Sequence, residues 1–286
     1  MYCMKENMEV PVRESFDEVK GVFVMENFKG KVGIVTGSAR GIGKAVASKF
    51  AECGADVIMM DINEPLLIES AKEIADTYGV KVYPIRVDAI STESITEAME
   101  KVKELVGSAD ILANCAGIST SHKLIDVEDA EWDRVFNINL RSVFTFSKLF
   151  AKQLQSDGKK HGHIVSISSQ ASKIGEYGNG VYSITKAGVN MLTQVLGLEF
   201  AELGITVNAV CPGYVNTQIM QEVFQKRGPI EGMTPEEYEK KLTARIPFGR
   251  MCEPSEVAEL MTFLASDRAD YITGVTVTVA GGSTLI

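Results

Sequence analysis

Short apolar runs alternate with longer amphipathic ones along almost the whole chain, and this restricts the fold more than any other feature. Residues 31–36 (KVGIVT), 56–60 (DVIMM), 82–87 and 111–114 are rich in Val, Ile, Leu and Met, and 163–168, 206–211 and 276–279 repeat the pattern. Runs of this kind suit strands buried on both faces. Between them, 41–53, 65–78, 92–106, 132–154, 182–203 and 254–264 carry apolar residues at helical spacing. In 65–78 these are Leu66, Leu67, Ala71, Ile74 and Ala75. The alternation predicts an α/β fold: a doubly wound parallel sheet with helices on both faces, joined by right-handed crossovers. No linker breaks it after about residue 31. The 286 residues would admit two domains at about 150 residues each, but the pattern argues for one.

Charge narrows the partners. Lys and Arg number 29 against 38 Asp and Glu, a net charge of −9. With no local basic patch, such a chain is a poor binder of nucleic acid or anionic membranes. No apolar run reaches the roughly 18 residues of a membrane span. The first 25 residues carry Glu6, Glu9, Glu14, Asp17 and Glu18 and lack an apolar core, so they do not read as a signal peptide. A cytoplasmic protein is expected. Cys3, Cys53, Cys115, Cys211 and Cys252 are scattered without a CxxC pair, and the chain has only His122, His161 and His163. Linear spacing therefore predicts neither a disulfide framework nor a metal site.

Residues 36–43 read TGSARGIG, between the first strand and the first helix. Gly37, Gly41 and Gly43 permit a tight turn and close approach to a pyrophosphate, which the helix N-terminus attracts. Asp61 ends the second strand, where a carboxylate accepts hydrogen bonds from ribose hydroxyls and repels a 2′-phosphate. Arg40 pulls the other way, since a guanidinium pairs with that phosphate. The carboxylate decides for NAD, with NADP second. Asp88, after the third strand, suits either an adenine amino group or a helix N-cap.

Tyr182 and Lys186 stand one turn apart on one helix face. An adjacent ammonium favours phenolate, so Tyr182 is expected to have a lowered pKa and to act as general acid and base on an alcohol or ketone. Ser169, 13 residues earlier and just beyond a strand, is placed to hold the reacting oxygen.

These residues resemble the short-chain dehydrogenase/reductase family, whose markers occur in order over roughly 29–286. They are TGSARGIG, Asp61, NCAG at 114–117, Asn139 within FNINL, Ser169, Tyr182 with Lys186, and Pro212–Gly213 followed by Thr217. The resemblance implies a Rossmann-type sheet and an NAD(P)-dependent oxidoreductase acting on a small CH–OH or ketone substrate. It implies that Tyr182 is the acid/base, that Ser169 positions the substrate, that Lys186 holds the nicotinamide ribose, and that Asn139 anchors a relay water. It places Asn114, Ala116 and Gly117 on the adenine-ribose side. Pro212, Gly213, Val215 and Thr217 then approach the nicotinamide and diphosphate. Ser38, Ile42, Ile62 and Ala89 complete the expected cofactor contacts. A homotetramer packed through the two longest helices is also implied.

Three departures stand out. Cys115 replaces the family's second Asn in NNAG, Ala280 replaces the Asp of VDGG, and residues 1–28 have no counterpart. That extension caps a neighbour, is disordered, or precedes a true start near Met25. Residues 216–247, with Met220, Val223, Phe224, Met233, Tyr238 and Leu242, read either as a lid over substrate or as helix faces packed on the body. Trp132 reads as a packing residue and His122 as a surface one. The stretch IPFGRMCEPSEVA and the NAD choice are similar to bacterial polyol and sugar dehydrogenases. Hydroxysteroid or bile-acid oxidation and 3-oxoacyl-thioester reduction are the alternatives. A dinucleotide-sensing module is the rival outside enzymes, and the intact Ser169, Tyr182 and Lys186 argue against it.

Overall fold

The computed structural model describes residues 27–285; the expectations for residues 1–26, Met25 and Cys3 included, lie outside it. Phe28 is buried against Phe50, edge to face with ring centroids 5.5 Å apart. The folded body thus includes the last residue of the expected extension.

Seven strands form one parallel sheet among the described residues: β1 (Val32–Thr36), β2 (Asp56–Asp61), β3 (Val82–Arg86), β4 (Ile111–Asn114), β5 (Gly162–Ile167), β6 (Ile205–Pro212) and β7 (Thr276–Val279). Their order is β3-β2-β1-β4-β5-β6-β7. Ile34 of β1 pairs with Ile58 on one side and Leu112 on the other. The strand order reverses between β1 and β4, which opens a crevice above their C-terminal ends. β5 and β6 are buried along their whole length, with the polar His163, Ser166, Thr206 and Asn208 among their apolar residues. β3 is an edge strand and tolerates Pro84, whose missing N–H would break an interior ladder.

Helices cover both faces. On one, α1 (Gly41–Glu52), α2 (Glu64–Tyr78) and α9 (Pro254–Leu264) bury Phe50, Leu67, Val257 and Met261. On the other, α3 (Thr92–Val106), α5 (Ser142–Ser156) and α6 (Gly180–Glu199) bury Ile95, Met99, Phe146, Phe150 and Leu196. Local chemistry sets the helix ends. Asn63 caps Leu66 N–H before Pro65 in the first turn of α2, and Gly79 ends that helix with φ at 68°. Ser91, not Asp88, caps α3.

The stretch 132–154, expected as one long helix, is broken. α4 (Asp129–Phe136) passes through a π-helical turn, Asn137–Arg141, into α5. Residues 182–203 likewise end in a separate 3-10 turn, Ala201–Leu203, after α6. Apolar periodicity survives such breaks, so it cannot report them. Two further helices, α7 (Gln218–Ile230) and α8 (Pro235–Thr243), lie within the expected lid. They share a small apolar core of Val223, Phe224, Tyr238 and Leu242. Among the described residues no helix is long and apolar enough to cross a membrane.

Candidate active site

The crevice at the strand ends is a cleft of about 390 Å³, walled by the glycine loop at one end and by Ser169, Tyr182 and Lys186 at the other. The loop's glycines are steric necessities. A Cβ on Gly37 would lie 2.6 Å from the Ala116 Cα, and one on Gly43 would lie 2.1 Å from the Gly37 carbonyl oxygen. Gly37 also has φ at 62°, in the left-handed region. Thr36 Oγ1 accepts hydrogen bonds from the N–H groups of Cys115 and Ala116, at 3.1 and 3.2 Å, and so fastens the loop after β4 to the end of β1.

α1 begins without a side-chain cap and without an acidic residue in its first turn. Gly41, Ile42 and Gly43 line the cleft there. An uncapped helix start facing a cavity is a donor set for an anion, so a pyrophosphate fits these residues. Asp61 lines the cleft next to it. Its Oδ2 accepts from Ala39 N–H at 3.1 Å and its Oδ1 from Asn63 N–H at 3.0 Å, which fixes the carboxylate. Ile62 and Ile90 expose 56% and 39% of their surface beside it. Apolar faces left open at a cleft wall suit a flat base. Asp88 and Ala89 line the same end, and Asp88 Oδ1 accepts from Ile90 N–H at 3.0 Å. Arg40 is exposed and tied to the side chain of Gln218 at the start of α7.

Three expected contacts stand behind the wall. Ser38 is fully buried, with its hydroxyl directed at the Met60 carbonyl. Asn114 is buried, its amide reaching Ser166 Oγ at 3.2 Å and Ser147 Oγ at 3.4 Å. Asn139 is fully buried in the π turn. Its Oδ1 accepts from Ile118 N–H at 2.9 Å, and its Nδ2 donates to the Ile118 carbonyl at 2.9 Å and to Thr185 Oγ1 at 3.2 Å. Its amide thus holds the Ile118 backbone. Ala116, Gly117, Pro212, Gly213, Val215 and Thr217 line the cleft.

Tyr182 and Lys186 project from α6, and Ser169 follows β5. The Tyr182 and Ser169 side chains meet at the cleft. Burial pushes the Tyr182 phenol up to about 12, against a smaller downward pull from its interaction with Ser169. Burial also lowers Lys186 to about 8. The Lys186 ammonium donates to the Ile167 carbonyl at 2.8 Å. The phenol is raised where the spacing predicts a lowering, because its desolvation outweighs the downward pulls of Ser169 and Arg227. Gly117 keeps open the space beside the lysine, where a Cβ would lie 3.5 Å from Nζ.

The fold adds residues that spacing did not reveal. Glu176, Asn179 and Arg227 line the cleft close to Tyr182. Arg227, from α7, reaches Glu176 Oε2 and the Thr120 carbonyl, both at 3.3 Å, and Asn179 Nδ2 donates to Glu176 at 2.9 Å. Met220 and Val223 of α7 face the cleft while Phe224 packs inward, so this segment serves both as wall and as packed face. His122 is a surface residue paired with Glu131, and Trp132 stacks on Phe136 with ring centroids 4.6 Å apart.

A family model described as enoyl-(acyl carrier protein) reductase matches residues 37–284. The chain is 37% identical to 3-oxoacyl-[acyl-carrier-protein] reductase FabG of Aquifex aeolicus over 89% of this chain and 97% of the relative. It is 34% identical to the oxidoreductase UcpA of Escherichia coli, over 91% and 97% respectively. Among solved structures, a short-chain type dehydrogenase/reductase from Mycobacterium marinum superposes with a TM-score of 0.83 at 30% identity, covering 92% of this chain and 98% of that one. L-sorbose reductase from Gluconobacter frateurii, solved with NADPH and L-sorbose, gives 0.84 at 27% identity, covering 90% and 97%.

Proposed function

Because this chain belongs to the short-chain dehydrogenase/reductase family and is thus an oxidoreductase that uses a nicotinamide dinucleotide, we propose that it interconverts a secondary alcohol and its ketone, prefers NAD(H), and takes a polyol or sugar. One observation carries this reading: Ser169, Tyr182 and Lys186 meet at one end of a cleft whose other end holds the glycine loop and Asp61. The bound nicotinamide supplies or accepts the hydride at its ring C4.

The chain's own residues handle binding and the proton. The start of α1 would take the pyrophosphate, and Asp61 the adenosine ribose hydroxyls. A fixed carboxylate at that point repels a 2′-phosphate, which is the ground for preferring NAD over NADP. The Ser169 hydroxyl would hold the substrate oxygen against Tyr182. In reduction the Tyr182 hydroxyl donates its proton to that oxygen; in oxidation the phenolate removes the proton from the alcohol. Lys186, fixed by the Ile167 carbonyl, stands beside Gly117 where a ribose hydroxyl would reach it. Asn139 acts as a positioning residue, holding the Ile118 backbone.

The hydrogen-bonding groups of Gln170, Glu176, Asn179 and Arg227 around Tyr182 favour a hydroxylated substrate over an apolar skeleton. A second reading, reduction of a 3-oxoacyl thioester, is favoured by the name of the relative at 37% identity. A panel of polyols, ketoses, hydroxysteroids and 3-oxoacyl thioesters, followed by NADH and NADPH absorbance, separates them. Turnover of a polyol or ketose with NAD(H) supports the first; exclusive turnover of the thioester replaces it. Homotetramerisation is part of the proposal, since α6 exposes Met191, Val195 and Leu198 and α5 exposes Phe144. Light scattering tests it. A cytoplasmic location accords with the sequence, and fractionation tests that.

A further inference from the structure

Linear spacing keeps the histidines apart from any metal-binding pattern, yet the fold brings two of them to two carboxylates. His161 precedes β5 and His163 lies within it, while Asp267 opens the 3-10 turn after α9 and Asp270 follows that turn. One ligand atom from each of the four lies within 4.8 Å of the others. His161 Nε2 is 3.1 Å from Asp270 Oδ1 and 3.9 Å from Asp267 Oδ1. His163 Nε2 is 3.6 and 3.7 Å from those same two oxygens. Four donors about 2.0–2.1 Å from a tetrahedral zinc ion stand about 3.3 Å apart; the four His–Asp separations are already close to that, and side-chain rotation must close the widest of the six, 4.8 Å.

The second observation is His163 itself. It is 1% exposed, its Nδ1 is hydrogen-bonded to Thr206 Oγ1 at 2.9 Å, and its Nε2 is buried without a hydrogen-bond partner. The two carboxylate oxygens it points towards are too far to bond. A buried imidazole fixed through one nitrogen, with the other aimed unpaired at carboxylates, has the arrangement of a metal ligand supported from behind.

We propose that His161, His163, Asp267 and Asp270 form a four-coordinate site for a divalent transition metal of the zinc class, clamping the start of β5 to the turn after α9. Two imidazoles select against magnesium and calcium. The site lies at the N-terminal edge of the sheet, away from the cleft: His163 and Ile167 are four strand residues apart, about 13 Å. The Lys31 ammonium pairs with Asp267, and the ion would displace it towards solvent.

The test uses the untagged full-length protein, stripped with chelator and titrated with Zn²⁺ by calorimetry. Co²⁺ replaces Zn²⁺ for visible spectroscopy. The expected result is one equivalent bound, a rise in Tm on loading, Co²⁺ bands of a tetrahedral nitrogen and oxygen site, and no competition from Mg²⁺. His161→Ala and Asp270→Asn alter exposed side chains, so both are expected to fold. Each should weaken Zn²⁺ at least tenfold while leaving the Tm in chelator unchanged. Equal Zn²⁺ affinity in the wild type and His161→Ala, a thiolate-type Co²⁺ spectrum, or no binding at micromolar Zn²⁺ would overturn the site.

Discussion

The Lys186 ammonium lies 5.6 Å from the centre of the Tyr182 ring, one turn away on the same helix, and yet the phenol is held near 12. Burial of the hydroxyl outweighs the downward pulls of Ser169 and of the Arg227 charge. With a pKa near 12 the phenol is a proton donor at every ordinary pH, while phenolate is only about one part in ten thousand at pH 8. Carbonyl reduction is therefore expected to be flat in kcat/KM up to about pH 8 and to fall above it as Lys186 loses its proton. Alcohol oxidation, which needs the phenolate, is expected to rise up to about pH 8 and to level off above it as Lys186 loses the same proton. Paired pH profiles in the two directions check this; an oxidation profile that levels off below pH 7 contradicts it.

Asp61 carries the proposed preference for NAD. Asp61→Ala removes a fixed charge facing the ribose site, and a charge-assisted hydrogen bond is worth about 1.5–3 kcal/mol. The ratio of kcat/KM for NAD over NADP is expected to fall by roughly 10- to 100-fold. A wild type that already works better with NADP removes the basis of the NAD assignment.

Gly43 leaves no room for a side chain, since a Cβ there would sit 2.1 Å from the Gly37 carbonyl oxygen. Gly43→Ala must shift backbone in the loop. A loss of about 1–3 kcal/mol in urea unfolding is expected, with dinucleotide affinity reduced as well. Gly232→Ala, at an open turn with nothing within 4 Å but φ at 72°, is the control that carries backbone strain alone and should leave dinucleotide affinity unchanged.

Much of this was legible from the residues. The interior strands announce themselves because both faces are buried and most positions must be apolar, while the edge strands β3 and β7 are only partly buried and show through their β-branched residues. TGSARGIG, Asp61, Ser169, Tyr182 and Lys186 could be located because turn sterics and strand ends fix them locally. What escaped depends on distance in space. Arg227 meets Glu176 across 51 residues, and His163 meets Asp267 across more than 100. The π turn at Asn139 was hidden because one extra residue in a helical turn leaves apolar periodicity nearly intact. Spacing shows the charged neighbour of Tyr182 and not its burial, so the upward shift of the phenol is invisible in the sequence.

Arg227 ties the first helix of the 216–247 segment to the body through Glu176 and the Thr120 carbonyl. Arg227→Ala leaves those acceptors without their donor, at about 1–2 kcal/mol. A rise in substrate KM of about tenfold is expected, with dinucleotide affinity unchanged. An unaltered KM would remove Arg227 and α7 from the substrate site.

The central claim is that Tyr182 moves the proton while other residues hold the dinucleotide. Tyr182→Phe, assayed side by side for turnover and for NADH binding by fluorescence, tests it most directly. The account expects kcat to fall by at least about 10²–10⁴ with NADH affinity within about twofold of the wild type. Near-normal turnover in the phenylalanine variant would contradict it.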